Sequence, residues 1–179
     1  APLDPAATYR LVTNSFLAGG GDGLNTLKNE YPDFGGTFEV VHGTELVAKL
    51  VAEGRLKLEQ TVDVDLTYHD PCYLSRYNGQ VDAPRAILGA IPGVKLHEME
   101  KHGEATMCCG AGGGRFWLEE HLGQRVNQAR FEQVLETKAT TVAVGCPFCN
   151  VMLNNAAGET GHEEVATTDV LELAAKALK

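Results

Sequence analysis

Positive charge is scarce in this chain: 15 Lys and Arg stand against 24 Asp and Glu, for a formal charge of −9. Such a surface lacks the basic footprint that nucleic acid or anionic lipid requires, so neither is expected as a partner. No run of five or more like charges occurs, so no acidic or basic tail is expected. Long apolar runs are missing too. The longest uncharged stretch, Ala139 to Gly158, contains Pro147, Asn150, Asn154 and Asn155, and reads as a turn and helix rather than a membrane span. No basic-then-apolar leader opens the chain, and residue 1 is Ala rather than Met, which predicts a chain trimmed or excised from something longer. No Ser–His–Asp grouping or Walker-type loop suggests itself. The GAGGG run at Gly110–Gly114 has neither the spacing nor the acidic follow-up of a dinucleotide site.

What is present describes an ordinary globular core. The apolar fraction is 44% and the charged fraction 22%, and 179 residues suffice for one good core or one domain plus a short appendage. Residues 1–23 form a segment of their own, with a β-like run from Tyr9 to Phe16 ending in a glycine cluster. From Leu24 onward strand and helix patterns alternate. Leu24 to Glu30 reads as the end of a helix stopped by Pro32 and Gly35–Gly36. Strands are expected at Thr37–Val41, Asp65–His69, Val94–Met99, Thr141–Val144 and Glu164–Ala166. Helices are expected at Thr44–Gly54, Ala83–Ile91, Phe116–Glu136 and from Pro147, the third facing inward through Leu118, Leu122, Val126 and Ala129. Asp169 caps a last helix, with Glu172 completing a capping box. This alternation predicts an α/β fold: a parallel, Rossmann-like sheet with helices on both faces.

All five cysteines fall in three clusters: Cys72, then Cys108–Cys109, then Cys146 and Cys149. Five is an odd count for disulfides and suits reduced thiols committed to metal or redox work. Cys72 and Cys146 each follow the C-terminal end of an expected strand, the edge where open parallel sheets bind ligands. The expected long helix begins just after Cys108–Cys109, so all three clusters should meet at one rim. Pro147 suits the first turn of a helix, whose free amides stabilise thiolates. The glycines after Cys109 leave main-chain amides open to an anionic group. A thiolate-rich set selects zinc, copper(I) or iron–sulfur; four thiolates complete a zinc site or a cubane, and a fifth suggests something larger or more open. Buried cysteines acting as small hydrophobes are the plain alternative.

The stretches TYHDPCYLSRYN (67–78), CCGAGGGRFWLEE (108–120) and CPFC (146–149) resemble the cysteine-rich CCG domain family: one Cys, a Cys-Cys-Gly after a long gap, and a C-x-x-C after a similar gap. The resemblance extends upstream through residues 24–50. That family includes a subunit of heterodisulfide reductase, the iron–sulfur subunits of lactate- and glycerol-3-phosphate-oxidising systems, and membrane-linked enzymes passing electrons between flavoproteins and quinones. The resemblance implies a 4Fe–4S cluster, non-cubane in heterodisulfide reductase, held by Cys72, Cys108, Cys109, Cys146 and Cys149. Members usually carry two such units, and this chain matches the second. It has Gly43 where a second His is usual, Ser75 where Gly is usual, and no C-x-x-C before Leu24. Residues 1–23 resemble instead the C-terminal domain of bacterial 5′-nucleotidases, with Asn14, Phe16 and Asp22 at nucleoside-contacting positions, as in a chimera. The simpler expectation is a strand and glycine turn completing a sheet edge.

The expected domains are therefore an appended segment at 1–23 and an iron–sulfur domain at 24–179. The expected function is electron transfer or thiol–disulfide reduction, with a flavoprotein or ferredoxin-like partner and a thiol, disulfide or quinone-linked substrate. The expected location is cytoplasmic or peripheral to a membrane complex. A zinc-holding structural module, a nucleoside-binding fragment and a fold without metal are the alternatives. Of the remaining residues, His69 and Asp70 could hydrogen-bond a ligand sulfur or move a proton. Arg76 and Arg115 could balance cluster charge or form ordinary salt bridges. Phe116 and Trp117 read as core, and His97, His102, His121 and His162 as solvated.

Overall fold

The computed structural model describes residues 9–13, 38–118 and 123–179. Four short strands build the central sheet: β3 (Val64–His69), β4 (Val94–His97), β5 (Thr141–Val144) and β6 (Ala166–Asp169). They run parallel in the order β4-β3-β5-β6. Two earlier strands, β1 (Tyr9–Thr13) and β2 (Phe38–His42), pair in parallel with each other as a separate ladder. Among the described residues, the front strand therefore does not extend the main sheet as expected. The expected helix at Leu24–Glu30 lies outside the described residues, as do Asn14, Phe16, Asp22 and His121.

Helices cover both faces, and alternation along β5 shows why. Val142 and Val144 point into a core formed by α4 (Val126–Glu136) and α5 (Pro147–Thr160) through Phe131, Val134, Leu153 and Ala156. Ala143 points the other way, joining Leu66 and Tyr68 of β3 against α1 (Gly43–Ala52), α3 (Asp82–Ala90) and α6 (Val170–Lys176). Successive residues of a strand face opposite sides, so one apolar strand serves two cores.

Two boundaries differ most from expectation, while the strand expected at Val94–Met99 ends at His97 and the helix expected at Thr44–Gly54 spans Gly43–Ala52. The helix expected from Phe116 starts only at Val126; Arg115–Trp117 is a single 3₁₀ turn, and Leu118 has extended backbone and is exposed. Gly123 takes φ 70, a left-handed conformation that interrupts helical continuity. The face of α4 that is buried is Asn127, Arg130, Phe131 and Val134, not the one running through Val126 and Ala129. Two polar residues occupy that inward stripe, which hides it from apolar periodicity. Strand β6 also lies later than expected, at Ala166–Asp169. Asp169 does cap α6, accepting from the Leu171 amide at 2.8 Å, but Glu172 accepts from Thr168 Oγ1 at 3.2 Å instead of closing a capping box. The reciprocal cap occurs on α1, where His42 Nδ1 accepts from the Thr44 amide and Glu45 accepts from the His42 amide.

Candidate metal centre

From β3 the chain crosses to β4 on one side, while β5 and β6 lie on the other, so the strand order reverses between β3 and β5. The crevice beyond the carboxyl ends of such a pair is the natural ligand site of an open parallel sheet. Both ends deliver cysteine there. Beyond β3, Pro71 caps the short α2 (Cys72–Ser75); beyond β5, Cys146 is the N-cap of α5, with Pro147 at its start and Cys149 in its first turn.

The third contribution comes from the loop between β4 and α4. Asp70 anchors it, accepting from the Gly103 amide at 2.7 Å while its main-chain oxygen accepts from Thr106 Oγ1 at 3.2 Å. Arg76 donates to the carbonyls of Glu104 and Thr106. Its guanidinium is thus engaged by the loop backbone. Cys108 and Cys109 follow, and Gly110 turns the chain with φ 95. A Cβ on Gly110 would lie 3.1 Å from the Asn127 amide and 3.2 Å from Val126 Cβ, so the loop can press against α4 only with glycine there.

Cys72, Cys108, Cys109, Cys146 and Cys149 all line one cavity of about 210 Å³, together with Gly112–Gly114, Trp117 and Phe148. Cys109, Cys146 and Cys149 are buried, Cys72 and Cys108 partly so. Neighbouring thiols act on one another in a chain: Cys72 with Cys108, Cys108 with Cys109, Cys109 with Cys149, and Cys149 with Cys146. Cys108 is the acidic member. Contacts from Cys109 and Cys72, aided by the Gly110 and Gly112 amides, hold its thiol well below the ordinary range. The Gly110 amide lies 3.3 Å from Cys108 Sγ. The Cys108 contact pushes Cys72 up, and it pushes Cys109 up to about 12. Contacts from Cys109 and Cys146, then burial, raise Cys149. Five sulfurs this close ionise together only when a cation takes the place of their protons, and soft metals suit such donors. These five residues could therefore hold a thiolate-bound metal or iron–sulfur group.

His69, the last residue of β3, is buried beside two of these sulfurs and does not itself line the cavity. One of its ring nitrogens and the sulfurs of Cys109 and Cys149 all lie within 4.8 Å of one another. Arg130 Nε donates to His69 Nδ1 at 3.0 Å. A guanidinium always donates, so Nδ1 must accept, and the neutral imidazole carries its hydrogen on Nε2. Burial, then the Arg130 charge, lowers His69 to about 3, which keeps the ring neutral. Its Nε2 is buried with no hydrogen-bond partner. An Nε2 bearing hydrogen has no lone pair to give a metal in this tautomer, which leaves the ring as a donor with its hydrogen unused.

The five cysteines and His69 are thus brought together. Asp70 is committed to structure, and Trp117, expected in the core, is 74% exposed at the cavity. Phe116 and Trp117 meet Phe148 edge-on, with ring centroids at 5.3 and 6.3 Å. His97 and His162 pair with Asp65 and Glu164 at the surface, while His102 hydrogen-bonds the Met99 carbonyl. Arg130 carried no signal in the sequence, since its partners lie far along the chain. His42 was missed because histidine is an unusual cap.

Comparison with known proteins agrees with this arrangement. The model of the cysteine-rich (CCG) domain matches residues 66–154, and that of the 5′-nucleotidase C-terminal domain matches residues 1–29. The chain is 48% identical to "Probable iron-sulfur-binding oxidoreductase FadF" of Bacillus subtilis, over 86% of this chain and 22% of that protein. It is 43% identical to "EtfAB:quinone oxidoreductase" of Syntrophomonas wolfei, over 88% of this chain and 23% of the relative. It is 38% identical to a subunit of the dihydromethanophenazine:CoB–CoM heterodisulfide reductase of Methanosarcina barkeri, over 79% of this chain and 34% of that subunit. The chain thus spans between about a fifth and a third of the length of these relatives. With its three cysteine clusters on one sheet edge, the segment 66–154 belongs to the cysteine-rich CCG domain family.

Proposed function

We propose that Cys72, Cys108, Cys109, Cys146 and Cys149 together hold one 4Fe–4S cluster, and that the chain is the electron-transfer or disulfide-reducing lobe of a larger oxidoreductase. The observation that carries this reading is that five cysteines from three separate segments of the chain line one cavity where the strand order reverses. Relatives named as an iron–sulfur-binding oxidoreductase, a quinone oxidoreductase and a heterodisulfide reductase subunit support it. When bound, such a cluster supplies one-electron chemistry, and an open or non-cubane form adds a place for a substrate sulfur.

The chain's own residues do the rest. Main-chain amides of Tyr73, Gly110, Gly112 and Ala111 hydrogen-bond Cys72, Cys108 and Cys109, favouring the thiolates. Phe148 and Trp117 shield the cavity from water. A flavoprotein or ferredoxin-like subunit or domain delivers the electrons, and the substrate is a thiol, disulfide or quinone-linked species. The location that goes with this reading is cytoplasmic or peripheral to a membrane complex; among the described residues no helix is long and apolar enough to cross a membrane. Residues 24–179 form the iron–sulfur domain. Residues 1–23 are an appended segment with no part in the chemistry, so adenosine should give no heat in calorimetry.

Five cysteines exceed the four positions of a tetrahedral zinc site, which favours the cluster over zinc. Single Cys→Ser changes test the reading. Each of the five should lower the iron bound by the chain, and Cys109→Ser should also lower its melting temperature. An unchanged melting temperature for Cys109→Ser, with and without chelator, would point to a fold that needs no metal.

A further inference from the structure

Arg130 is an unusual resident of a core. Its side chain is fully buried, yet among the described residues no carboxylate pairs with it. Asp70, the nearby buried acid, is gripped instead by Arg85. Arg130 spends its hydrogens on neutral acceptors: the Lys101 carbonyl at 2.9 Å, Gln133 Oε1 at 2.5 Å, Thr106 Oγ1 at 3.3 Å and His69 Nδ1 at 3.0 Å. A buried cation without a counter-charge is costly, and proteins keep one only where an anion compensates it. Asp70 is the strongest charge that acts on it from a distance, and the sulfurs of Cys149 and Cys109 come next. His69 adjoins both: its Nδ1 takes the Arg130 hydrogen, one ring nitrogen lies within 4.8 Å of those two sulfurs, and its buried Nε2–H has no partner.

We infer that Arg130 and His69 form a buried donor relay that serves the cluster: Arg130 supplies the counter-charge and fixes the imidazole, and His69 donates from Nε2 toward the Cys109–Cys149 side. This rests on the cluster reading above and goes beyond it, since it assigns positioning residues that ligate nothing. Reduction adds negative charge to the sulfurs, so a donor and a cation beside them favour the reduced state and raise the potential. The pair also puts His69 in the role of donor, which leaves metal binding to the cysteines.

The test compares the 179-residue protein with its His69→Leu and His69→Gln variants, each purified without oxygen, measuring iron per chain and the midpoint potential. Leucine removes the donor, while glutamine returns an N–H at similar reach. All three should hold equal iron. His69→Leu should favour the oxidised state about tenfold more, a fall of roughly 59 mV for one electron, and His69→Gln should recover most of it. Iron lost from His69→Leu but kept by His69→Gln at the original potential would support the relay equally, because the donor is what the two proteins share. Equal iron with unchanged potentials in all three would overturn the relay and leave the cluster standing. Iron lost from both variants would overturn it in favour of an imidazole needed as ligand or scaffold. An unsubstituted protein without iron would overturn the cluster reading and the relay together.

Discussion

Arg85 donates to both carboxylate oxygens of Asp70, at 2.7 and 2.9 Å, and Asp70 is 1% exposed. The same carboxylate holds the Gly103 amide, so this pair fastens the loop leading to Cys108 onto the end of β3. Replacing Arg85 by Met leaves a buried carboxylate unpaired, which costs about 3 kcal/mol or more. Denaturant titration of Arg85→Met should show that loss. Iron retention should fall with it, because Cys108 loses its anchor to Cys72.

Gly110 supports a second prediction. At φ 95, with the Asn127 amide only 3.1 Å from any added Cβ, alanine is both strained and crowded. Gly110→Ala should cost about 1–3 kcal/mol. It should also displace Cys109, so that iron per chain drops further than the change in stability alone accounts for.

The cysteine clusters, their place at strand ends and the β/α alternation were all legible, because each is local: a spacing, a strand period, a proline at a helix start. The front strand's separate ladder was not, since pairing partners are a matter of register between distant segments. The start of α4 was obscured by Asn127 and Arg130, buried polar residues: Asn127 Nδ2 donates to Met152 O, and Arg130 donates to Lys101 O and His69 Nδ1. Of the site, the sulfurs could be read from sequence. The Arg130–His69 pair could not, as a buried arginine looks like a solvated one until its acceptors are placed.

Acid should weaken the fold through His42. Burial lowers this histidine to about 4 from 6.5, and its Nδ1 accepts from the Thr44 amide at the start of α1. Below pH 6.5 the unfolded chain takes up a proton that the folded protein refuses until about pH 4. Stability is therefore full above pH 7 and falls as pH drops through that window, by up to about 2 kcal/mol at pH 5 from this group. His69, lowered to about 3, acts in the same direction. His42→Asn keeps a cap without a titrating ring, so denaturation midpoints between pH 7 and 5 should fall less steeply for it than for the unsubstituted protein.

Trp117 tests shielding separately from stability. It is 74% exposed, so Trp117→Ala should shift the unfolding free energy by no more than about 0.5 kcal/mol. Because the ring lines the cavity, its loss should speed the bleaching of visible absorbance in air.

The most direct measurement is iron, zinc and acid-labile sulfide on protein purified without oxygen, with its visible spectrum. About four irons and matching sulfide per chain, with a broad brown absorbance, is the result predicted for a cluster held by five cysteines. One zinc and a colourless protein, or no metal at all, would contradict the account and leave only the fold.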